Sequence, residues 1–402
     1  MKKYGLLKLS NFPVVGLTTL WALWTTASQG MTTDQWDKAL QIHGFLTQGY
    51  VNTTANSFFG DSEDGSLNFR EIGINASYRF NPEVMVSAQL LSRTAGEMYD
   101  GTLGLDYGQI DFTPYSTPEG RFGTILGRFK NPIGFYNDTR DVASTRTSIF
   151  VPQVIYWDRV RNMVLSSDGA MFYGDLQERL HGFYFHLFSG RTPIDENVEK
   201  TYLPAQLEPS MEQQGLTKGG RLLYEWDGGV FRLGLSGAKL NLDGKMAGGL
   251  LSGSIDIDFW IASAQFNHGP WSLTFEYMNE PVNYNGFNDL MEPADTTADG
   301  YYLQGNYRLT SDWEILLRYE EAHYNKDDRD GSDINIPGTE PHNFYSRMWT
   351  FGLLWEPLEN LMLRAEYSRT DGTLFLSNLE NPDPQATERK WNMLSLLISY
   401  SF

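Results

Sequence analysis

The chain has 402 residues, no cysteine, and 50 acidic against 31 basic side chains, for a net charge of −19. This length suits one large domain; zero cysteines exclude a disulfide framework or a thiolate metal site, and the acidic balance argues against a nucleic-acid partner. Beyond the extreme N-terminus no run approaches ~18 consecutive apolar residues, so a bundle of membrane-spanning helices is not expected. The 14% aromatic content and 39 glycines instead suit a strand-rich chain of which only alternate residues meet lipid.

Residues 1–30 carry Lys2, Lys3 and Lys8, a short apolar core over 14–24 and a small polar tail. This is the layout of a signal peptide, with cleavage expected near Ala27. Residues 31–40 suit a short helix or turn, and the remainder, 31–402, reads as a single β-barrel domain. The first strand is expected over 41–51. Over 67–80, Ile72, Ile74, Ala76, Tyr78 and Phe80 point one way and Glu71, Gly73, Asn75, Ser77 and Arg79 the other, the period-two signature of a strand with one apolar face. Further strands are expected over 84–93, 103–113, 121–130, 169–175, 180–189, 221–226, 230–240, 254–266, 271–278, 301–309, 313–323, 345–355, 361–370 and 390–402, with 190–218 as a long polar loop. The count is about sixteen. Short turns and long loops are expected to alternate strictly, and an even strand count places both termini on the same, periplasmic side. Tyr78, Phe80, Trp226, Trp271, Tyr307, Trp313, Trp355, Tyr400 and Phe402 fall at strand ends, where aromatic girdles belong.

One stretch breaks the alternation. After Lys130 comes Asn131-Pro132, and strand-like sequence returns only near Met171. Within 121–161 seven bases stand against three acids, net +4 in an acidic chain. The expected arrangement is a loop over 131–163, folded into the lumen, that narrows a pore and sets its ion preference. Arg128 and Lys130, two apart on a strand, are expected to share its lumen face, and Arg159 and Arg161 stand in the same relation at the far end. Arg140 and Arg146 lie mid-loop among hydroxyl and amide side chains, and Tyr136, Tyr156 and Trp157 are candidates to pin the loop to the wall. The plainer alternative is that these bases pair with Asp138, Asp141 and Asp158 and simply fold the loop.

The remaining clusters carry less. Residues 279–300 and 324–343 are acidic, which serves solubility or divalent-ion bridging to anionic headgroups. Asp328, Asp330 and Asp333 around Gly331 form an incomplete calcium-loop pattern. His181 and His186, five apart on one strand, face opposite ways and cannot share a metal. No Ser/His/acid spacing argues for a hydrolase.

The exported N-terminus, the alternating strands, the long loop after the fifth strand and the terminal Leu-Ile-Ser-Tyr-Ser-Phe resemble a Gram-negative outer-membrane porin, with the phosphate-selective type as the nearest branch. The final Phe402, with Tyr400 and Ile398 on its face, is similar to the signature read by the barrel-assembly machinery. The resemblance implies a sixteen-stranded homotrimer whose inward loop is residues 131–163, with Arg128, Lys130, Arg140, Arg146, Arg159 and Arg161 as constriction candidates. It implies a passive channel for small hydrophilic solutes with anion preference, in contact with outer-membrane lipid and lipopolysaccharide, and no cofactor. Few lysines and acidic outer loops depart from the phosphate-selective pattern. A non-conducting structural or adhesive barrel and an outer-membrane hydrolase barrel remain the alternatives.

Overall fold

The computed structural model describes residues 39–287, 295–334, 336 and 338–402. The signal peptide expected at 1–30, all but the last two residues of the short element expected at 31–40, and Asp289 and Glu292 of the acidic loop lie outside the described residues.

Sixteen antiparallel strands close into one barrel: β1 (Leu40–Thr53), β2 (Ser66–Arg79), β3 (Val84–Ala95), β4 (Tyr99–Thr117), β5 (Gly120–Lys130), β6 (Ser166–Glu178), β7 (His181–Arg191) and β8 (Ser210–Trp226) form the first half. The second half is β9 (Phe231–Met246), β10 (Leu251–His268), β11 (Trp271–Asn285), β12 (Asp295–Arg308), β13 (Trp313–His323), β14 (Tyr345–Leu358), β15 (Leu361–Gly372) and β16 (Lys390–Ser401). Each strand pairs with its sequence neighbours, and β1 pairs with β16.

The burial pattern is inverted relative to a water-soluble sheet. Ile72, Ile74, Leu233, Leu235, Leu394, Leu396 and Ile398 are exposed on the outer face, while Glu71, Gln304, Thr350 and Ser395 are buried on the inner one. Burying a side chain such as Leu or Ile is worth about 1.5–3 kcal/mol, so leaving whole rows of them outward fits hydrocarbon and not water. Closure serves the same end, because lipid offers no partner to a free sheet edge. The barrel is therefore a transmembrane one.

The aromatic residues expected at strand ends gather at the short-turn rim, where Tyr78 meets Phe80 at 4.7 Å, Trp271 meets Tyr307 at 4.5 Å and Trp313 stacks on Trp355 at 5.2 Å. A second girdle, not evident in the sequence, crosses the other end of the band: Trp260 on Tyr277 at 5.4 Å and Tyr319 on Trp349 at 4.8 Å.

Two expectations need correction. Turns and loops do not alternate strictly: residues 96–98 and 247–250, on the long-loop rim, are tight turns. In the second, Ala247, Gly248 and Gly249 all take positive φ, which the two glycines make inexpensive. The polar stretch 190–218 is not all loop, since β8 begins at Ser210. Strands β8 to β11 continue well past the outer girdle, as at Lys239 and Asp258, which pair at 2.9 Å. There the alternation is inverted: Lys239, Asn241, Asp256 and Asp258 lie on the outer face, while Leu240, Leu242, Ile255 and Ile257 are buried on the inner one, so the apolar outer row that marks a strand in lipid is absent.

The seam is closed by the last residue. Gly44 N donates to Phe402 O at 2.9 Å and Phe402 N to Gly44 O at 3.0 Å. A Cβ on Gly44 would lie 2.4 Å from the Phe402 ring, so this glycine is the seat of the terminal aromatic, which Tyr400 stacks against at 6.4 Å. Gly44→Val should therefore reduce folded barrel as strongly as deletion of Phe402, read as loss of the fast-migrating heat-modifiable band in unboiled membranes. Wild-type amounts of that band in both variants would refute the seat.

Candidate functional site

The segment 131–165 leaves and rejoins the wall through a stapled base. Asn131 N donates to Leu165 O at 2.9 Å, and Asn137 Nδ2 reaches Asn131 O at 2.9 Å and Val164 O at 3.0 Å. Its apolar side chains join two cores with wall residues. Ile133, Tyr136, Val154, Ile155 and Tyr156 pack with Phe129, Phe188, Ile261 and Tyr302, while Ile149 and Phe150 pack with Phe58, Phe69 and Trp391.

Polar anchors fix the loop's path. Glu276 of β11 is fully buried and accepts from Tyr156 Oη at 2.7 Å, Phe135 N at 3.0 Å, Tyr302 Oη at 2.8 Å and Ser263 Oγ at 2.5 Å. On β13, Glu320 accepts from Val154 N at 3.3 Å and Arg318 donates to Ser148 Oγ at 2.7 Å. On β15, Glu366 accepts from Ile149 N at 2.6 Å and Arg364 donates to Arg146 O. On β9, Ser236 Oγ accepts from Gly134 N at 2.8 Å, and on β8 Arg221 pairs with Asp138 at 2.9 Å. Tyr156 is thus a wall pin, as the sequence suggested, and Trp157 meets Phe375 edge-on at 6.4 Å.

The six candidate bases divide. Arg146 pairs with Glu71 at 2.8 Å; Glu71 pairs with Arg93 at 3.1 Å; Arg93 pairs with Asp158 at 3.1 Å; Asp158 pairs with Arg140 at 3.1 Å. This is one continuous buried chain of alternating charge running loop–wall–loop. Lys130 lies between Asp106 and Asp141, and Asp141 also takes Arg161. Burial and the nearby Arg93 and Arg140 push Arg161 down to about 10, which leaves it charged at neutral pH; burial likewise lowers Arg140 against the pull of Asp158. Arg159 differs: it donates to Leu376 O at 3.2 Å and lies 4.9 Å over the Trp157 ring, with no carboxylate in ion-pair range among the described residues.

Arg128 is a correction. It follows the exposed Leu126 onto the outer face while Phe129 takes the buried one, and it forms a half-exposed pair with Asp168 at 2.7 Å, a contact worth little in itself. Lys130 is the last residue of β5; with no ladder beyond it, its long stem is free to follow the loop inward, so the two do not share surroundings. The calcium pattern is also corrected. Asp328 is buried and its two oxygens accept from Ser332 N at 3.1 Å and Asp333 N at 3.0 Å, while Asp330 takes Ser332 Oγ at 2.8 Å. These carboxylates brace a turn, and among the described residues no three ligand-type side chains converge.

The wall residues Arg93, Asp106, Arg318, Glu320, Arg364 and Glu366 were not singled out in the sequence, although Glu71 was placed on the polar face of its strand. Their signal was present: most are charged residues in phase with the inner positions of their strands.

A family model described as TonB dependent receptor-like, beta-barrel matches residues 175–371. No curated protein sequence matches the chain. Among solved structures, the outer membrane channel DcaP of Acinetobacter baumannii is similar at 10% identity and TM-score 0.57, over 90% of this chain and 97% of that one. The anion-selective porin from Comamonas acidovorans is similar at 13% identity and TM-score 0.55, over 90% and 99%. The trimer form of OmpT, an outer membrane protein of Vibrio cholerae, is similar at 12% identity and TM-score 0.55, over 90% and 99%. At such identities the likeness is one of fold, a closed antiparallel barrel.

Two outcomes test the site. Asp141→Asn leaves Lys130 and Arg161 buried with one carboxylate fewer, a change expected to cost about 3–5 kcal/mol and to lower the temperature at which the folded band is lost on gels; an unchanged temperature would show the pairs to be dispensable. Glu276→Ala takes the acceptor from the hydroxyls of Tyr156, Tyr302 and Ser263 and leaves Phe135 N only its bond to Tyr156 Oη, so proteolytic nicking within 131–165 should appear at protease levels that spare the parent barrel. Equal resistance would rule out Glu276 as the anchor.

Proposed function

We propose that the chain is a passive diffusion channel of the Gram-negative outer membrane, a homotrimer, which passes small hydrophilic solutes with a preference for anions. The observation that carries this reading is the loop 131–163: it bonds to inward-facing side chains of strands around the circumference, β2, β3, β8, β9, β11, β13 and β15. A segment with those partners crosses the bore and narrows it. The anion preference rests on fewer groups than the sequence suggested, because most loop bases are matched by carboxylates. Among the described residues Arg159 has no carboxylate in ion-pair range, and Arg364 of β15, itself buried, leaves Nε and Nη1 unbonded. A half-buried guanidinium without a carboxylate partner, as at Arg159, is suited to a passing anion. The trimer form recorded for Vibrio cholerae OmpT supports the assembly. The reading has no catalytic step.

One observation favours a second reading. The two apolar cores shared by loop and wall would equally hold the loop as a plug, in a barrel that serves as a scaffold for its outer loops. Current through the purified protein in a planar bilayer under a salt gradient separates the two. Discrete steps with an anion-biased reversal potential are expected, with the bias reduced in Arg159→Gln. A cation bias would overturn the preference, and folded protein without steps would overturn the channel.

A further inference from the structure

We propose that the outer wall over β14 to β16 holds the phosphate of an outer-leaflet glycolipid between Arg369 and Lys390. The inference rests on the outer-membrane placement given above and is independent of whether the bore conducts.

The register of the sheet fixes the geometry. Arg369 lies opposite Trp349 of β14 and Asn392 of β16. One row further from the membrane, Asp371 lies opposite Arg347 on one side and Lys390 on the other. Met348, Thr350, Ser368 and Thr370 are buried, so the alternate residues Arg347, Trp349, Arg369 and Asp371 share the outer face. Trp349 belongs to the outer aromatic girdle, and Tyr367, 46% exposed, comes before Arg369 on that face. Arg369 therefore sits at the edge of the hydrocarbon band, with apolar surface below it and water above.

The charges in these rows do not balance. Glu321 is taken by Arg347 at 2.8 Å, and Asp371 by Arg389 at 2.7 and 3.1 Å. Arg369 is exposed and, among the described residues, makes no hydrogen bond or ion pair. Lys390 is exposed beside an acid that Arg389 already holds. Diagonal positions on adjacent strands lie about 7–8 Å apart, a span that one phosphate bridges. An arginine at a bilayer edge turns its fork up to the headgroup level, where it is open to an anion. Its planar fork takes phosphate in bidentate fashion, and an ammonium adds a point charge. A free phosphate would meet those two donors but not the apolar row beneath. A phosphorylated glycolipid meets both, with its sugar phosphate at Arg369 and Lys390 and its acyl chains along Trp349, Phe351 and Tyr367.

The test uses the full-length barrel in detergent, probed by native mass spectrometry with diphosphorylated lipid A. The parent should retain one lipid, with retention falling about tenfold or more in Arg369→Gln/Lys390→Gln. The charge-preserving Arg369→Lys/Lys390→Arg should keep most of it, and lipid A stripped of its phosphates should not be retained. Equal retention by the parent and the glutamine double variant would overturn the site, as would equal retention of the stripped lipid. Displacement of the lipid by millimolar inorganic phosphate would overturn the glycolipid as occupant. The heat-modifiable band verifies folding of each variant. Bilayer steps of unchanged size in the glutamine double variant are expected; a barrel that conducts but holds no lipid would sink this inference alone.

Discussion

No backbone N–H or C=O of a chain in hydrocarbon can be left without a partner, and the rest of this molecule follows from that demand. Sixteen strands meet it by closing on themselves through the β1–β16 seam. Closure at this size sends every second side chain into a bore too wide for side chains alone to fill. The outer positions turn apolar and the inner ones polar, and the segment after β5 bonds to those inner positions on several strands. The Phe402–Gly44 contact at the seam and the Glu276 hub on the far wall therefore belong to one problem: first close the ring, then furnish its interior.

The furnishing is electrostatic as much as apolar. The chain Arg146–Glu71–Arg93–Asp158–Arg140 alternates sign and runs from loop to wall and back to loop. Networks of this kind are poor sources of stability, because desolvation offsets most of the attraction. They are good at defining position, since any other docking leaves a buried charge alone. The loop's excess of bases, conspicuous in the sequence, is largely a complement to acids on the strands. That leaves Arg159 and the free donors of Arg364 as the electrostatic remainder.

The strands were legible because lipid enforces a period of two, and Ile72 to Phe80 or Leu394 to Phe402 could hardly read otherwise. Legibility stopped where lipid stops: past the outer girdle Lys239 and Asp258 face out while Leu240 and Ile257 are buried within, so the alternation is that of a water-soluble sheet and no apolar outer row marks the strand. Alternation also gives two faces without naming the inner one. Around Arg128, Phe122, Thr124 and Leu126 compete with Ile125 and Phe129, and only the packed Phe129 decides that Arg128 looks outward. Arg369 was passed over for the opposite reason: its strand was correctly placed, but its isolation depends on Arg389 claiming Asp371, a contact no local pattern encodes. The same holds for Arg146 and Glu71, 75 positions apart.

The loop's anchors also impose an order of events. Its amide at Ile149 waits for Glu366, 217 positions further along the chain, and its other partners lie on strands made both before and after it. Contacts of such sequence separation form late, once the entropy of closing the intervening chain has been met. Through insertion and closure the loop can only be a passenger, tethered at the Asn131–Leu165 staple, and its settling is the last act of maturation. A ring completed before that act would hold the same sixteen strands around a wide, water-filled bore.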